Sequence, residues 1–205
     1  MKSRCAVLLV VAIFTVILSQ KAIAGNDGRS SNGYHGGQNG IPLLAGQFSS
    51  TLQGSLAICL NPTSFALESC STSGALVAPL SVLAAGAYTQ DNAGNSCAAY
   101  TEVDSDLPVN ASPPTVTANE HVSAKVVNYD PTTGIGDGSF TAYAGGACNG
   151  STLDSTGATE LSTGTDHFVI SKDGNRGDYI FTSLTNSTGS IGDFSLSGTD
   201  LKQTR

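Results

Sequence analysis

Hydrophobic and polar residues alternate along several stretches of this chain, as expected for strands with one buried face. Over residues 47–53 one face carries Phe48, Ser50 and Leu52, and after Gly54 the pattern continues with Leu56, Ile58 and Leu60. We predict a strand here, with a bend or bulge at the glycine. Further strands are predicted at residues 96–103, 121–129, 139–144, 167–171, 178–184 and 191–197.

Turn-forming residues separate these strands. Residues 91–95, 130–138 and 172–175 are rich in Gly, Asp and Asn, and the glycine-rich run 134–138 is interpreted as part of a turn. Residues 107–117 contain three prolines and indicate a loop or an extended crossing. The apolar stretch 74–89 is interrupted at Pro79 and Gly86, which favours two short strands or a strand with one helical turn.

The element pattern indicates an all-β fold. About eight short strands are predicted, with no βαβ spacing and no convincing helical period beyond the N-terminal segment. We therefore expect an antiparallel β-barrel with little helix, with a β-sandwich as the alternative.

The last third of the chain suggests a family. The segments that carry the resemblance are Gly138-Ser-Phe-Thr-Ala-Tyr, Gly145-Gly-Ala-Cys-Asn-Gly, His167-Phe-Val-Ile, Asp173-Gly-Asn, Asp178-Tyr-Ile-Phe-Thr-Ser and Gly192-Asp-Phe-Ser-Leu-Ser-Gly. Residues 138–203 resemble a class of secreted, mostly uncharacterised bacterial β-barrel proteins that are similar in strand layout to lipocalins and allene oxide cyclase. The resemblance implies a barrel and carries over no catalytic residue.

The first residues have the pattern of a secretory signal peptide. Lys2 and Arg4 precede an apolar run at 6–19, which is shorter than the roughly 20 residues of a membrane span. Small residues before Gly25 predict cleavage between Ala24 and Gly25, and a secreted or periplasmic protein. We expect a signal peptide at 1–24, a flexible leader rich in Gly, Asn and Ser at 25–45 and one barrel domain at 46–205.

Charge excludes some partners. The formal net charge is −7, and removing the three basic residues of the signal peptide makes it about −10. The remaining lysines and arginines form no patch, which disfavours nucleic acid and anionic membrane surfaces. Stable membrane insertion as a barrel is not expected, because neither strands of about ten residues nor aromatic girdles are evident.

Four cysteines follow the signal peptide, at spacings of 11, 27 and 51 residues: Cys59, Cys70, Cys97 and Cys148. An even number in an exported chain favours two disulfides. Zinc is the alternative, but its sites usually contain closely spaced cysteine pairs. Four cysteines allow three pairings, of which we favour Cys59 with Cys70 and Cys97 with Cys148.

Candidate catalytic and metal-binding residues are few. His121 and His167 begin predicted strands, where each either acts as a general base or donates to a loop carbonyl. Glu102, Asp104 and Asp106 alternate and would share one face of a strand, which suggests calcium, as do Asp130 and Asp137. Neither acidic group matches a calcium-loop motif, so solvated carboxylates are the simpler interpretation. No catalytic motif and no cofactor are predicted.

Three classes of function fit these observations. The favoured one is a secreted, non-catalytic barrel that holds a small apolar ligand or serves as a stable module. The second is a barrel-confined cyclase or isomerase, which the sequence neither requires nor excludes. The third is a cell-surface or adhesion protein.

Overall fold

A computed structural model describes residues 44–105 and 115–203, without the side chains of 104, 105 and 115–119. No helix in this part of the chain is long and apolar enough to cross a membrane. Ten strands follow one another within it: β1 Gly46–Leu60, β2 Leu76–Gln90, β3 Asn95–Ser105, β4 Thr115–Asp130, β5 Ile135–Ala144, β6 Ala147–Asn149, β7 Thr152–Asp154, β8 Thr159–Ile170, β9 Arg176–Thr185 and β10 Ile191–Lys202.

Eight of these strands form a closed antiparallel barrel in the order β1-β10-β9-β8-β5-β4-β3-β2. Each barrel strand pairs with the next barrel strand along the chain, and β1 pairs with β10 to close the sheet. Closure leaves no unpaired sheet edge, which is the usual solution for a sheet of this size. The predicted all-β barrel is confirmed, and the sandwich alternative is wrong.

The two ends of the barrel differ. Short turns at 91–94, 131–134 and 171–175 connect strands at one end, which we call the turn end. The connections 61–75, 145–158 and 186–190 join strands at the other end, which we call the loop end.

Two disulfides hold loop-end connections against the barrel. Cys59 of β1 bonds to Cys70 in the loop 61–75, and Cys97 of β3 bonds to Cys148 of β6. The second bond ties the hairpin β6–β7 to the outside of the barrel, and Cys97 beneath it is only 1% exposed. Both pairings are those predicted from the sequence, and two disulfides are compatible with an extracellular or periplasmic protein.

The strands are longer than predicted. The barrel strands contain 10 to 16 residues, and β2 runs unbroken through Pro79 and Gly86. The pairing of β2 with β3 covers only Ser81 to Gln90. Pro79 lies outside it, so its missing N–H costs no hydrogen bond to β3. Strand length therefore no longer argues against a membrane-spanning barrel. The outward side chains of β1 are polar, namely Gln47, Ser49, Thr51, Gln53 and Ser55, whereas other strands expose large apolar side chains, among them Val77, Leu83, Val127, Ile180 and Leu201.

Several glycines have a different role from the predicted one. Gly54 is not a bulge: the register of β1 shifts between Leu56 and Ile58, against β10. A side chain at Gly54 would collide with the backbone of Ser195. Gly136 and Gly138 were assigned to a turn, but they lie within β5 on its buried face.

The proline-rich segment was predicted to end at residue 117, but β4 begins at Thr115, and residues 106–114 lie outside the described chain.

Candidate functional site

The barrel encloses a cavity of about 340 Å³. Towards the loop end its walls are aliphatic, with Leu52, Leu56, Ile58, Leu80, Val82, Leu184 and Leu196. These side chains come from the inward positions of β1, β2, β9 and β10, which alternate with outward polar ones. The apolar faces predicted from the alternation of β1 therefore line a hollow space.

Towards the turn end the cavity wall becomes polar and aromatic. We call this region the acidic end, defined by Ser50, Tyr88, Tyr100, Asp166, Tyr179 and Asp200. The phenol of Tyr88 donates to Asp200 Oδ2 at 3.1 Å. The Ser50 hydroxyl lies 3.2 Å from the Tyr179 hydroxyl, which also donates to the backbone oxygen of Thr51. Tyr88 on β2 is thus paired with Asp200 on β10, and Ser50 on β1 with Tyr179 on β9.

The tyrosine side chains at this end are held in their neutral form. Burial raises the pKa of Tyr88, and the charge of Asp200 raises it further. Burial likewise raises the pKa of Tyr100 and of Tyr179. All three groups remain hydroxyls that can donate a hydrogen bond throughout the physiological pH range.

Two carboxyl groups of the acidic end are perturbed. Burial raises the pKa of Asp200 to about 6, although the hydroxyls of Ser50 and Tyr88 lower it by favouring the charged form. The charge of Asp166 adds to the increase. Burial also raises the pKa of Asp166 to about 6, although a backbone N–H at Gly138 stabilises its charged form. Shifts of this kind are common at functional sites, where burial and neighbouring charges set the protonation of the acting groups.

Two buried polar atoms lack a hydrogen-bond partner within the described chain: Asp200 Oδ1 and Gln90 Nε2. Both residues line the cavity near the turn end. A buried polar atom without a partner destabilises a protein by about 1–3 kcal/mol. These two atoms are therefore the places where a bound molecule would gain most from a polar contact.

The candidate histidines are not in the cavity wall. His121 Nδ1 lies 3.0 Å from the carbonyl oxygen of Gly145, the structural role considered for a histidine at a strand end. His167 Nδ1 lies 2.7 Å from Asp137 Oδ1, in a half-exposed pair. That hydrogen bond is the main reason why the pKa of Asp137 is lowered. Of the groups that would indicate an enzyme by sharing the cavity, Glu102 alone lines it.

The calcium hypothesis gains no support from the described residues. They contain no group of three or more acidic, histidine or cysteine side chains that could hold a metal ion. Glu102 lines the cavity, whereas the Asp104 side chain and all of Asp106 lie outside the described chain. Asp130 accepts from Thr132 and Thr133 within its turn, and Asp137 accepts from Asn128 and His167.

Sequence reasoning missed the acidic end. The strand predicted at 191–197 was too short to include Asp200, although Leu196, Gly198 and Asp200 continue one alternating face. Asp166 was missed because β8 starts at Thr159, eight residues before the predicted strand. A signal was present, since both aspartates lie within runs of alternating small and apolar residues, but Gly, Ser and Thr gave it little contrast.

Comparison of the chain with known proteins gives no match among protein-family models, curated proteins or solved structures.

Proposed function

We propose that this protein is a secreted or periplasmic barrel that binds a small, mainly apolar ligand in its interior. The observation that carries the proposal is the cavity of about 340 Å³. Ligand sites occupy roughly 300–1,000 Å³, and an apolar cavity of about 150 Å³ accepts benzene. The barrel therefore has room for a ligand of about twice that size.

Three further features support the proposal. The N-terminal pattern of Lys2, Arg4 and an apolar run predicts export, and two disulfides suit that environment. The closed antiparallel barrel is compatible with a lipocalin-like or allene oxide cyclase-like layout. The aliphatic walls near the loop end give an apolar ligand a surface to bury, which is the main driving force of such binding.

The test is binding of a neutral apolar fluorophore, N-phenyl-1-naphthylamine, to the purified protein. Adjacent alanines on β2 provide a matched pair of variants, because Ala84 lines the cavity and is 2% exposed, whereas Ala85 faces outward. Ala84→Phe places a ring in the cavity and should weaken binding by about tenfold or more, since it removes ligand volume. Ala85→Phe should leave binding unchanged.

Two results would contradict the proposal. One is a wild-type protein that gives no fluorescence increase at any concentration tested. The other is a folded Ala84→Phe variant, with an intact circular dichroism spectrum and cooperative unfolding, that binds the fluorophore as the wild type does. In the second case the ligand sits elsewhere on the protein.

A barrel-confined cyclase or isomerase is the second candidate function. One observation favours it: Asp166 and Asp200 combine burial with a pKa near 6, which suits general acid or base catalysis near neutral pH. The test incubates a small-molecule extract of the producing cells with wild type or with the Asp166→Asn, Asp200→Asn double variant. A product of unchanged mass that forms only with wild type supports an isomerase, and identical extracts contradict it.

A further inference from the structure

Asp200 presents an unused hydrogen-bond acceptor to the cavity. Its Oδ2 accepts from Tyr88, while Oδ1 is buried and has no partner among the described residues. Asp200 pairs directly with Ser50 of β1 and Gly177 of β9, and the space beside this glycine is filled by the flexible end of the Ile170 side chain. Because Asp200 lines the cavity, a donor bound there reaches Oδ1 once the side chains that cover this atom shift.

The charges around Asp200 favour a cation. Asp166 on β8 lies near enough for its charge to raise the pKa of Asp200, and Asp178 on β9 adds to this effect. The groups that face Asp200 from β2, β3 and β9 are the neutral phenols of Tyr88, Tyr100 and Tyr179. Lys202, two residues along β10, places its ammonium 5.7 Å from the centre of the Phe48 ring, at the turn end. The charges of Asp200 and Asp166 would repel a ligand that carries a carboxylate. A ligand that carries an alcohol would leave these two charges without an opposite charge.

Aromatic rings surround the same region. The Phe48 and Tyr88 rings stack with centroids 4.9 Å apart, and Tyr179 lies 6.0 Å from Phe181. Ring faces attract ammonium groups, most strongly where water is excluded. Carboxylates with aromatic rings beside them are therefore a suitable environment for an organic cation.

We propose that the ligand of this cavity is a protonated amine on a small apolar or aromatic body, with its ammonium group donating to Asp200 Oδ1. This inference rests on the ligand-binding function proposed above and specifies the class of ligand. The apolar body lies against the aliphatic walls towards the loop end, and the ammonium group reaches the acidic end. The bound amine supplies the missing hydrogen bond and offsets part of the burial cost of the two carboxylates.

Binding of such a ligand depends on pH. An amine is protonated throughout the relevant range, so the change comes from the carboxyl groups. Because the pKa of Asp200 is raised to about 6, its charge is lost as the pH falls through that value. Affinity for the amine should therefore fall in mildly acidic solution, while affinity for a neutral ligand should not.

The test compares three ligands with the same phenyl body and different head groups. Phenethylamine, 2-phenylethanol and 3-phenylpropanoate each compete with bound N-phenyl-1-naphthylamine at about pH 7.5. The amine should bind roughly tenfold more tightly than the alcohol, since a charged hydrogen bond replaces a neutral one, and the acid should bind least. Lowering the pH to about 5 should remove the preference of the amine over the alcohol.

Asp200→Asn should abolish the preference for the amine, measured as the ratio of the amine and alcohol affinities within the same variant. The matched control is Asp193→Asn, which removes the same charge from the outer side of β10 and should keep the preference. If the alcohol or the acid competes as well as the amine at neutral pH, the proposal is overturned while ligand binding stands. If the fluorophore itself does not bind, the ligand-binding function fails first. The wild-type pH comparison decides the matter even if Asp200→Asn does not fold.

Discussion

Tyr179 lies directly across from Gly198 in the neighbouring strand, and its ring occupies the space that a side chain at Gly198 would need. Four other inward glycines face a large side chain in the same way. The pairs are Gly86 with Tyr100, Gly136 with Phe168, Gly138 with Asp166 and Gly164 with Phe140. Large inward side chains therefore lie over neighbouring backbone, which leaves the centre of the barrel open.

The first prediction concerns this packing. Gly198→Ala should lower the free energy of unfolding by about 2–3 kcal/mol, because the new methyl collides with the Tyr179 ring and with the Thr51 backbone oxygen. Gly177→Ala is the control, since its methyl meets only the movable end of Ile170 at 2.7 Å, and it should cost less than 1 kcal/mol. Urea unfolding measures both, and equal losses would show that the close approach of Tyr179 is unimportant.

The second prediction concerns the stability of the acidic end. The folded protein holds the protons of Asp166 and Asp200 more tightly than the unfolded chain, whose aspartates titrate near pH 3.9. These carboxyls therefore favour folding at low pH, and this contribution is lost as the pH rises from about 4 to 6. Asp200→Asn should stabilise the empty protein by about 1–2 kcal/mol at pH 7.5 and by much less at pH 4. The stability difference between variant and wild type is measured across this range, and a difference that does not change with pH would contradict the assignment.

The third prediction concerns the two disulfides. Replacing Cys97 and Cys148 by serine should cost about 4 kcal/mol, and replacing Cys59 and Cys70 about 3 kcal/mol, because the first bond closes a loop of 51 residues and the second a loop of 11. Thermal unfolding of the two double variants measures the order. A larger loss for the shorter loop would show that contacts of the loop 61–75, such as Cys70 N–H to Gly189 O, matter more than chain entropy.

The fourth prediction concerns the turn between β2 and β3. Asp91 accepts from the backbone of Ala93 and Asn95, and from the hydroxyl of Ser151 at the tip of the hairpin β6–β7. The hydrogen bonds from Asn95 are the main reason why the pKa of Asp91 is lowered to about 2. Asp91→Ala should destabilise the protein by about 1–2 kcal/mol, whereas Asp193→Ala should change stability by less than 0.5 kcal/mol. Urea unfolding tests this, and equal effects would mean that the Asp91 contacts do not hold the turn.

The fifth prediction concerns the histidines. His121 and His167 form their hydrogen bonds with Gly145 and Asp137, and neither lines the cavity. His121→Ala and His167→Ala should each leave the fluorophore affinity within twofold of wild type. A tenfold loss in either folded variant would place that histidine in the binding site and revive its candidate role as a general base.

The fold class could be predicted because alternating residues and regularly spaced turn residues indicate short antiparallel strands. The alternation of Phe48, Ser50 and Leu52 identified a strand with one buried face, and the two disulfides followed from an even cysteine count. Strand length could not be predicted, because Ser, Thr, Gly and Ala give little contrast between the two faces of a strand. Pro79 also suggested a break in the strand, but β2 continues through it because this residue has no partner in β3.

The site was harder to predict than the fold. Asp166 and Asp200 are far apart in sequence, and only the closure of the barrel brings β8, β9 and β10 around one space. The sequence drew attention to His121 and His167 instead, because histidine is the residue type most often used in catalysis. Their strand positions place them on the outside, which depends on a register that the sequence does not specify.

The first and last strands of the barrel are direct neighbours, with Phe48 opposite Lys202 and the Gln203 N–H donating to the Gln47 carbonyl oxygen. The described chain therefore enters and leaves the barrel side by side at the turn end, opposite the connections 61–75 and 186–190. A reporter or an affinity tag joined directly before Leu44 or directly after Gln203 would therefore attach at the turn end. A barrel immobilised at either of these points presents its loop end to solution, a convenient geometry for surface-based binding measurements.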